Sequence, residues 1–505
     1  MSYSTSSDQS AMMTQTPSSA NVSAVPDLVK IGQIPTNTAI DIETDILDPV
    51  VHSDRFCRFQ FQNKGILHSN SKIILRLNKS AIKGFVPVGT GIYSLIQRCS
   101  LRVGTKTISE IDDFNHYMGY KSMFLSNEHQ KQREQYTTGR QLAHKAYYEE
   151  GATGQTEFHG TVEHLTTKAV RVGLDNGQMV TATGAGDDTV DLNPRVFLRT
   201  GDDDYGPECA ISLQDLFPFL TQNQLPLFMM KEPVTVELFF SDAIDERMSL
   251  VSSASNTKGT SSFPIDTSAT ELVADYQYFP QEMMEQYAQQ NANLSFTYSD
   301  LRLAKRTIPI KATGSEVKES IIVNVGGAGR LVSKIFTTLS DDDISSDSIL
   351  NNYHSMSMDR LYTGTSTARY NGVLTSNVKY NDHFLYPVDV ENSAQQFHYL
   401  TGAEGMVPFV QREEYNFEGK GLSLGKFSGY TQEDPEHGLA GRFFYQAHKL
   451  NRNERVNSRG IEIYNTYDKL ANSKSSGANT ATLRTYVELI RVAQLNDGVM
   501  DTFFA

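Results

Sequence analysis

The chain has 505 residues, 39% of them hydrophobic and 21% charged, enough for two or more domains with packed cores. Its net charge of −14 argues against general nucleic-acid binding, because contact with phosphate needs Lys and Arg to displace counterions. Tryptophan is absent, and 26 Phe and 24 Tyr carry the aromatic content, which suits half-buried pleated surfaces.

Residues 1–38 are Ser/Thr-rich with few large apolar side chains and cannot offset the entropy of their own ordering. They read as an N-terminal arm, either disordered or ordered against neighbours in an assembly. From Arg55 the pattern has period two: Cys57, Phe59 and Phe61 alternate with Arg58, Gln60 and Gln62, as in a sheet with one wet face. Asn63-Lys64-Gly65 marks a turn, and Ile73, Leu75 and Leu77 form the next strand. The apolar run Ile92-Tyr93-Ser94-Leu95-Ile96 precedes a strand with Cys99, Leu101 and Val103 inward. Gly104-Thr105 then turns the chain into Lys106-Thr107-Ile108. Residues 112–148 read as helical or irregular, with Phe114, Tyr117, Met118, Met123 and Phe124 at helical spacings.

Residues 149–193 are a polar insertion rich in Gly, Thr and Asp; insertions of this length are usually functional or mobile. Strands resume at Val196-Phe197-Leu198. Leu225-Pro226-Leu227 leads into a strand with Val234, Val236, Leu238 and Phe240 alternating with Thr235, Glu237 and Phe239. A second insertion covers about 243–268, and another strand spans 272–279. Pro280 is placed to open a short helix through Gln290, since proline suits a first helical turn.

The layout then repeats. Leu294, Phe296 and Tyr298 alternate, strands follow at 320–325 and 331–337, and polar insertions occupy about 340–368 and 411–437. Residues 391–400 read as helical. The last strands are predicted at 442–448, 460–464 and 483–495. Many short strands punctuated by turns, without long amphipathic helices between them, predict an all-β chain of two sandwiches.

Motifs that could carry chemistry lack their context. Gly421-Leu422-Ser423-Leu424-Gly425 has the spacing of a nucleophile elbow, but no helix start follows it, and Asp434, His437 and His448 lie in the same polar excursion or the next strand. Gly326-Gly327-Ala328-Gly329-Arg330 lacks the Lys-Ser/Thr of a phosphate loop and reads as a strand-to-strand turn. Asp202-Asp203-Asp204 and Asp341-Asp342-Asp343 lack EF-hand spacing and read as solvated acidic loops. No His-x-His, His-Glu-x-x-His or Cys-x-x-Cys occurs, and Cys57 and Cys99 read as small core residues. We therefore expect no catalytic, cofactor-binding or metal-binding residues, and no enzyme. Three cysteines are not a disulfide framework and point to folding in a reducing compartment. No apolar run approaches the roughly 20 residues of a membrane-spanning helix, and the N-terminus lacks signal-peptide blocks, so no transmembrane segment or secretory entry is expected.

Four segments, in order, resemble the double jelly-roll major capsid proteins of eukaryotic double-stranded DNA viruses, including virophages, Polinton-like viruses and nucleocytoplasmic large DNA viruses. They are the strand, glycine turn and strand at 95–108 with the aromatic segment near 114–120; Leu225-Pro226-Leu227 with the strand at 234–240; Ala274-Asp275-Tyr276-Gln277-Tyr278-Phe279-Pro280-Gln281-Glu282; and the strand at 483–495 with the apolar tail at 500–505. The resemblance implies two consecutive eight-stranded jelly rolls, at 39–290 and 291–505, with the insertions named above as outer loops or contacts. It further implies a homotrimer forming a pseudo-hexameric capsomer that tiles an icosahedral shell. Its partners would be neighbouring capsomers and penton and minor capsid proteins, with no sequence-specific nucleic acid, and its place the virion after synthesis and folding inside the host cell. A double jelly-roll scaffold outside the virion is a second reading. A carbohydrate-binding or carbohydrate-active jelly roll is a third, for which the adjacent Glu413-Glu414 is a poor acid pair because neighbouring strand residues point to opposite faces.

Overall fold

The computed structural model describes residues 40–505 except 77–82, 88–90, 122–123, 125–136, 139–146, 149–157, 160–170, 174–194, 200–207, 242–248, 251–264, 311–317, 342–371, 391–392, 406–445, 452 and 469–478. The arm at 1–38, the acidic triplet at 202–204, Gly421 to Gly425, Glu413-Glu414 and most of the four insertions lie outside these residues.

Eight strands build the first half: β1 Asp41–Leu47, β2 Phe56–Gln60, β3 Lys72–Arg76, β4 Ile96–Val103, β5 Lys106–Asp112, β6 Glu208–Ser212, β7 Val234–Phe240 and β8 Glu271–Tyr278. They pair as two sheets, β1-β8-β3-β6 and β2-β7-β4-β5. In the second half the corresponding strands are β9 Asn293–Ile310, β10 Lys318–Gly326, β11 Val332–Asp341, β12 Gly372–Tyr380, β13 His383–Phe384, β14 Gln446–Lys449, β15 Ile461–Asp468 and β16 Asn479–Asn496. They pair as β9-β16-β11-β14 and β10-β15-β12-β13. The second order is the first with eight added to every number. Each half is therefore one sandwich whose first strand lies beside its last, the wiring of a jelly roll. Short strands at Val51–Ser53, Ile66–Leu67 and Val499–Phe504 extend the sheets at their margins.

The alternation read from the sequence explains the core. Cys57 and Phe59 on β2, Ile73 and Leu75 on β3, and Leu272, Ala274 and Tyr276 on β8 are buried, while their neighbours are half-buried or exposed. The run at 92–96 forms a 3-10 turn, Gly91–Leu95, leading directly into β4. Gly104 (φ 56°) turns β4 into β5, and α1 Phe114–Lys121 follows. Short helices α2 Leu213–Leu216 and α3 Pro218–Gln222 follow β6. Pro280 sits at the N-cap of α4 Gln281–Gln290, and α5 Ser393–Glu404 lies against β14. Between β10 and β11 the backbone passes through positive φ at Gly326, Gly327 and Gly329, so the glycine-rich motif is a turn between two strands.

Two features go beyond the sequence reading. Val196-Phe197-Leu198 lies in Arg195–Arg199, which joins neither sandwich sheet. It pairs with Arg171–Gly173 and Lys83–Pro87, and Ser249–Leu250 completes this small extra sheet. Three loop regions of the first half thus converge on one accessory structure. Glu237, which alternates with the apolar core residues of β7, is itself only 4% exposed. It accepts from Arg58 (2.6 Å), Ser100 Oγ (2.9 Å) and Arg102 (3.4 Å), and these charged partners make its burial tolerable.

Candidate interaction surfaces

The described residues contain no group of three or more His, Cys, Asp and Glu able to hold a metal ion, and none of their helices is long and apolar enough to cross a membrane. Asp341 ends β11, and its two acidic neighbours lie outside the described residues. His448 is buried on β14 with its Nδ1 2.9 Å from Tyr386 Oη, and burial pushes its pKa down to about 4. Cys57, Cys99 and Cys209 are buried and free, and burial raises the Cys57 and Cys209 thiols to about 12, far from a reactive thiolate at neutral pH. The 360 Å³ cleft beside Leu67, Leu220, Tyr287 and Phe296 has a rim of His68, Gln214, Gln222, Asn223 and Gln224 and no Asp, Glu, Lys or Arg in its lining.

The most elaborate chemistry lies where the two sandwiches meet. Asp113, the residue between β5 and α1, has φ 47° and is 2% exposed. Its carboxylate accepts from Arg484 Nε (2.7 Å), Lys305 Nζ (2.7 Å) and Gln97 Nε2. Its carbonyl accepts from Tyr486 Oη (2.8 Å) and from the α1 backbone at Tyr117. Burial works to raise the Asp113 pKa, but Arg484 and Lys305 outweigh it and hold the carboxyl below its ordinary value.

Above this anchor α1 lies on the outer face of sheet β9-β16-β11-β14. Phe336 stacks between Tyr120 (centroids 3.9 Å, 7°) and Tyr486 (4.9 Å, 14°), and Tyr117 contacts both Phe336 and Tyr486. Lys334 beneath the stack binds Glu404 (2.7 Å) and Glu488 (3.3 Å), while Tyr120 Oη donates to Glu404. At the other end of the seam Tyr298 Oη donates to the Ile108 carbonyl (2.7 Å). Arg491 reaches the same carbonyl (3.1 Å), Asp300 (2.8 Å) and Thr502 (2.8 Å). Phe219 on α3 meets Phe296 and Tyr298 edge-on. Tyr486 pairs with Leu303 and Arg491 with Tyr298 in an unbroken register. The two sets of residues are an odd number of positions apart, so they project from opposite faces of the same ribbon, and both faces are used against the first sandwich.

Elsewhere among the described residues a few large apolar side chains are uncovered. On the outer face of sheet β1-β8-β3-β6 are Ile42 and Ile46 of β1, Val273 of β8 and Ile74 of β3. Ile46 is paired with Val273, and Ile74 with Glu271. On the second sandwich Ile322, Phe384 and Val388 are exposed, and Phe384 packs edge-on against Tyr464.

The seam residues could not be singled out in sequence. The Asp113–Arg484 contact spans 371 positions, and an aspartate before a helix is ordinary. The uncovered β1 was missed because Ile42 and Ile46 are interspersed with Asp41, Glu43 and Asp45 and only Leu47 follows them.

No protein-family model matches the chain, and no curated protein matches it by sequence. Among solved structures it is similar to the PBCV-1 virus capsid in a quasi-atomic model, at 12% identity over 93% of this chain and 97% of that one, with a TM-score of 0.51. It is equally similar to PBCV-1 VP54 as fitted into a reconstruction of the virophage Sputnik, at 12% identity, the same coverage and a TM-score of 0.50. The mavirus major capsid protein aligns over 100% of this chain and 96% of its own at 8% identity, with a TM-score of 0.48. The chain has the double jelly-roll fold of viral major capsid proteins. At these identities the likeness is one of fold.

Proposed function

We propose that the chain is a structural protein, the major capsid protein of an icosahedral double-stranded DNA virus, acting by assembly and not by turnover. The observation that carries this reading is the twofold use of one strand order, β1-β8-β3-β6 with β2-β7-β4-β5 and its exact counterpart eight strands later, in the fold of known capsid proteins. Two similar sandwiches fixed side by side make a unit that three copies turn into a six-cornered ring with closed cyclic symmetry. In this reading the first jelly roll is 39–290 and the second 291–505. Residues 1–38 are an arm that contacts neighbours, and the insertions form the outer surface and the contacts between capsomers. Penton and minor capsid proteins complete the shell, and the protein resides in the virion.

The test is the solution mass of purified protein by light scattering, with negative-stain images of the same fraction. The expected result is about three times the chain mass with a six-cornered outline; a monomer that never assembles would overturn the reading. Imaging purified virions then distinguishes a capsid protein from a scaffold that leaves before maturation.

A further inference from the structure

Within one chain, the fifth strand of the first sandwich, β5, lies against β9 of the second, with α1 laid over β16 and β11. The contact thus joins the β5 side of one sandwich to the sheet of the other that holds its first, eighth and third strands. Because both sandwiches share one strand order, the chain carries the two halves of this contact a second time. Its repeat would join the β13 side of the second sandwich to sheet β1-β8-β3-β6 of the first. Both of those surfaces carry exposed apolar side chains. On the β13 side Phe384 is 48% exposed, and Val388, in the segment that follows β13 as α1 follows β5, is 71% exposed. On the sheet side Ile42 and Ile46 are 51% and 65% exposed, with Val273 and Ile74 half-buried beside them. At the internal seam the aromatic side chains that meet, Tyr117 of α1 and Tyr486 and Phe336 of the sheet, are covered.

We infer that the Phe384–Val388 edge of one copy docks on the Ile42–Ile46 sheet face of the next, so that the contact between chains repeats the contact inside the chain. The occupant of each surface is a second copy. One chain cannot satisfy both halves itself, because its two sandwiches are already joined through the other pair of surfaces. The contact is head-to-tail, and such contacts close only as rings. Alternating one internal and one external contact places six sandwiches around a three-copy ring. This inference rests on the capsomer reading and says which surfaces make it.

The test uses full-length Phe384→Glu, with a damaged edge and intact face, and Ile46→Lys, with a damaged face and intact edge. Each variant alone is expected to be monomeric at concentrations where the wild type has about three times the chain mass. Mixed in equal amounts, they retain one sound edge and one sound face between them. The mixture is therefore expected to give a species of about twice the chain mass and no larger ring. Either variant keeping the wild-type mass, or a mixture giving monomers or full rings, would overturn this surface assignment while leaving the capsomer reading intact; a monomeric wild type would overturn that reading itself. Far-ultraviolet circular dichroism checks that the variants fold. If one does not, Val388→Ser and Ile42→Ser, milder changes at exposed positions, serve in their place and are expected to raise the concentration for half-dissociation at least about tenfold; an unchanged value would overturn the assignment.

Discussion

Asp113 concentrates the chemistry of the seam in one side chain. Its carboxylate meets two cations and an amide, and its carbonyl meets Tyr486 and the first turn of α1. Asparagine tolerates the same positive φ, so Asp113→Asn tests the charge without disturbing the turn. Leaving Arg484 and Lys305 without their anion is expected to cost about 3 kcal/mol at neutral pH, read as a shift in the denaturant midpoint. Acid should act in the same direction. The carboxyl is held below its ordinary value, so the unfolded chain takes up this proton first as pH falls. The stabilisation is complete at neutral pH and is lost as pH drops through the folded value, below about 4. Glu488 contributes in the same sense: burial opposes its charge, but Lys334 and Ser333 hold its pKa down. Asp300 acts oppositely, since burial outweighs Arg491 and Arg302 and raises its pKa. Asp113→Asn should therefore flatten the acid limb of a stability-against-pH curve below about pH 4, where wild-type stability falls steeply; an unchanged limb would remove Asp113 from this account.

At the level of elements, turns and the α1 stack fix the register of each sandwich. Gly460 has φ 78°, and a Cβ there would lie 2.8 Å from the Gly326 carbonyl oxygen, so the turn into β15 and the bulge at the end of β10 constrain one another. Gly460→Ala is expected to destabilise the protein by about 2 kcal/mol, measurable as a lower denaturant midpoint with an unchanged slope. Phe336→Ala removes the ring between Tyr120 and Tyr486 and is expected to cost about 3–5 kcal/mol. Much of this level was legible in the sequence, because β2, β3, β8 and the start of β9 bury every second residue and the proline before α4 marks a boundary. β12 escaped notice because its buried positions include Ser376 and Asn377, and Asn377 is satisfied by Asp389 and the Tyr386 carbonyl. The burial of Glu237 does not follow from alternation, since period two takes no account of Arg58 and Arg102 arriving from neighbouring strands. Val499–Phe504 read as an apolar tail because its partner strand ends only two residues before it begins, leaving a tight Asp497-Gly498 turn.

Considered as a whole, the molecule is two sandwiches joined by contacts at both ends of one long ribbon. Interlocking of this kind predicts that they melt together. Calorimetry of the wild type is expected to show one cooperative transition, and Phe336→Ala, which loosens the α1 end, is expected to broaden or split it. Two well-separated wild-type transitions would mean that the seam contributes little. The fold class was readable at this scale from the repetition of strand-rich halves. The uncovered surfaces were not, because exposure is decided by which of two equivalent faces finds a partner within the chain.

The two-faced ribbon of β9 and β16 also bears on mechanics. One face closes the core of the second sandwich at one end, and the same strands brace the first sandwich at the other, so the seam offers no hinge. If such molecules tile a closed shell, the curvature needed to close it cannot be taken up by bending inside a tile. It must be distributed over the joints between tiles, where apolar patches such as those around Ile46 and Phe384 can slide by fractions of a side chain without breaking directional bonds. The tile would then be rigid and the joints compliant, and the radius of the shell would be set at the joints.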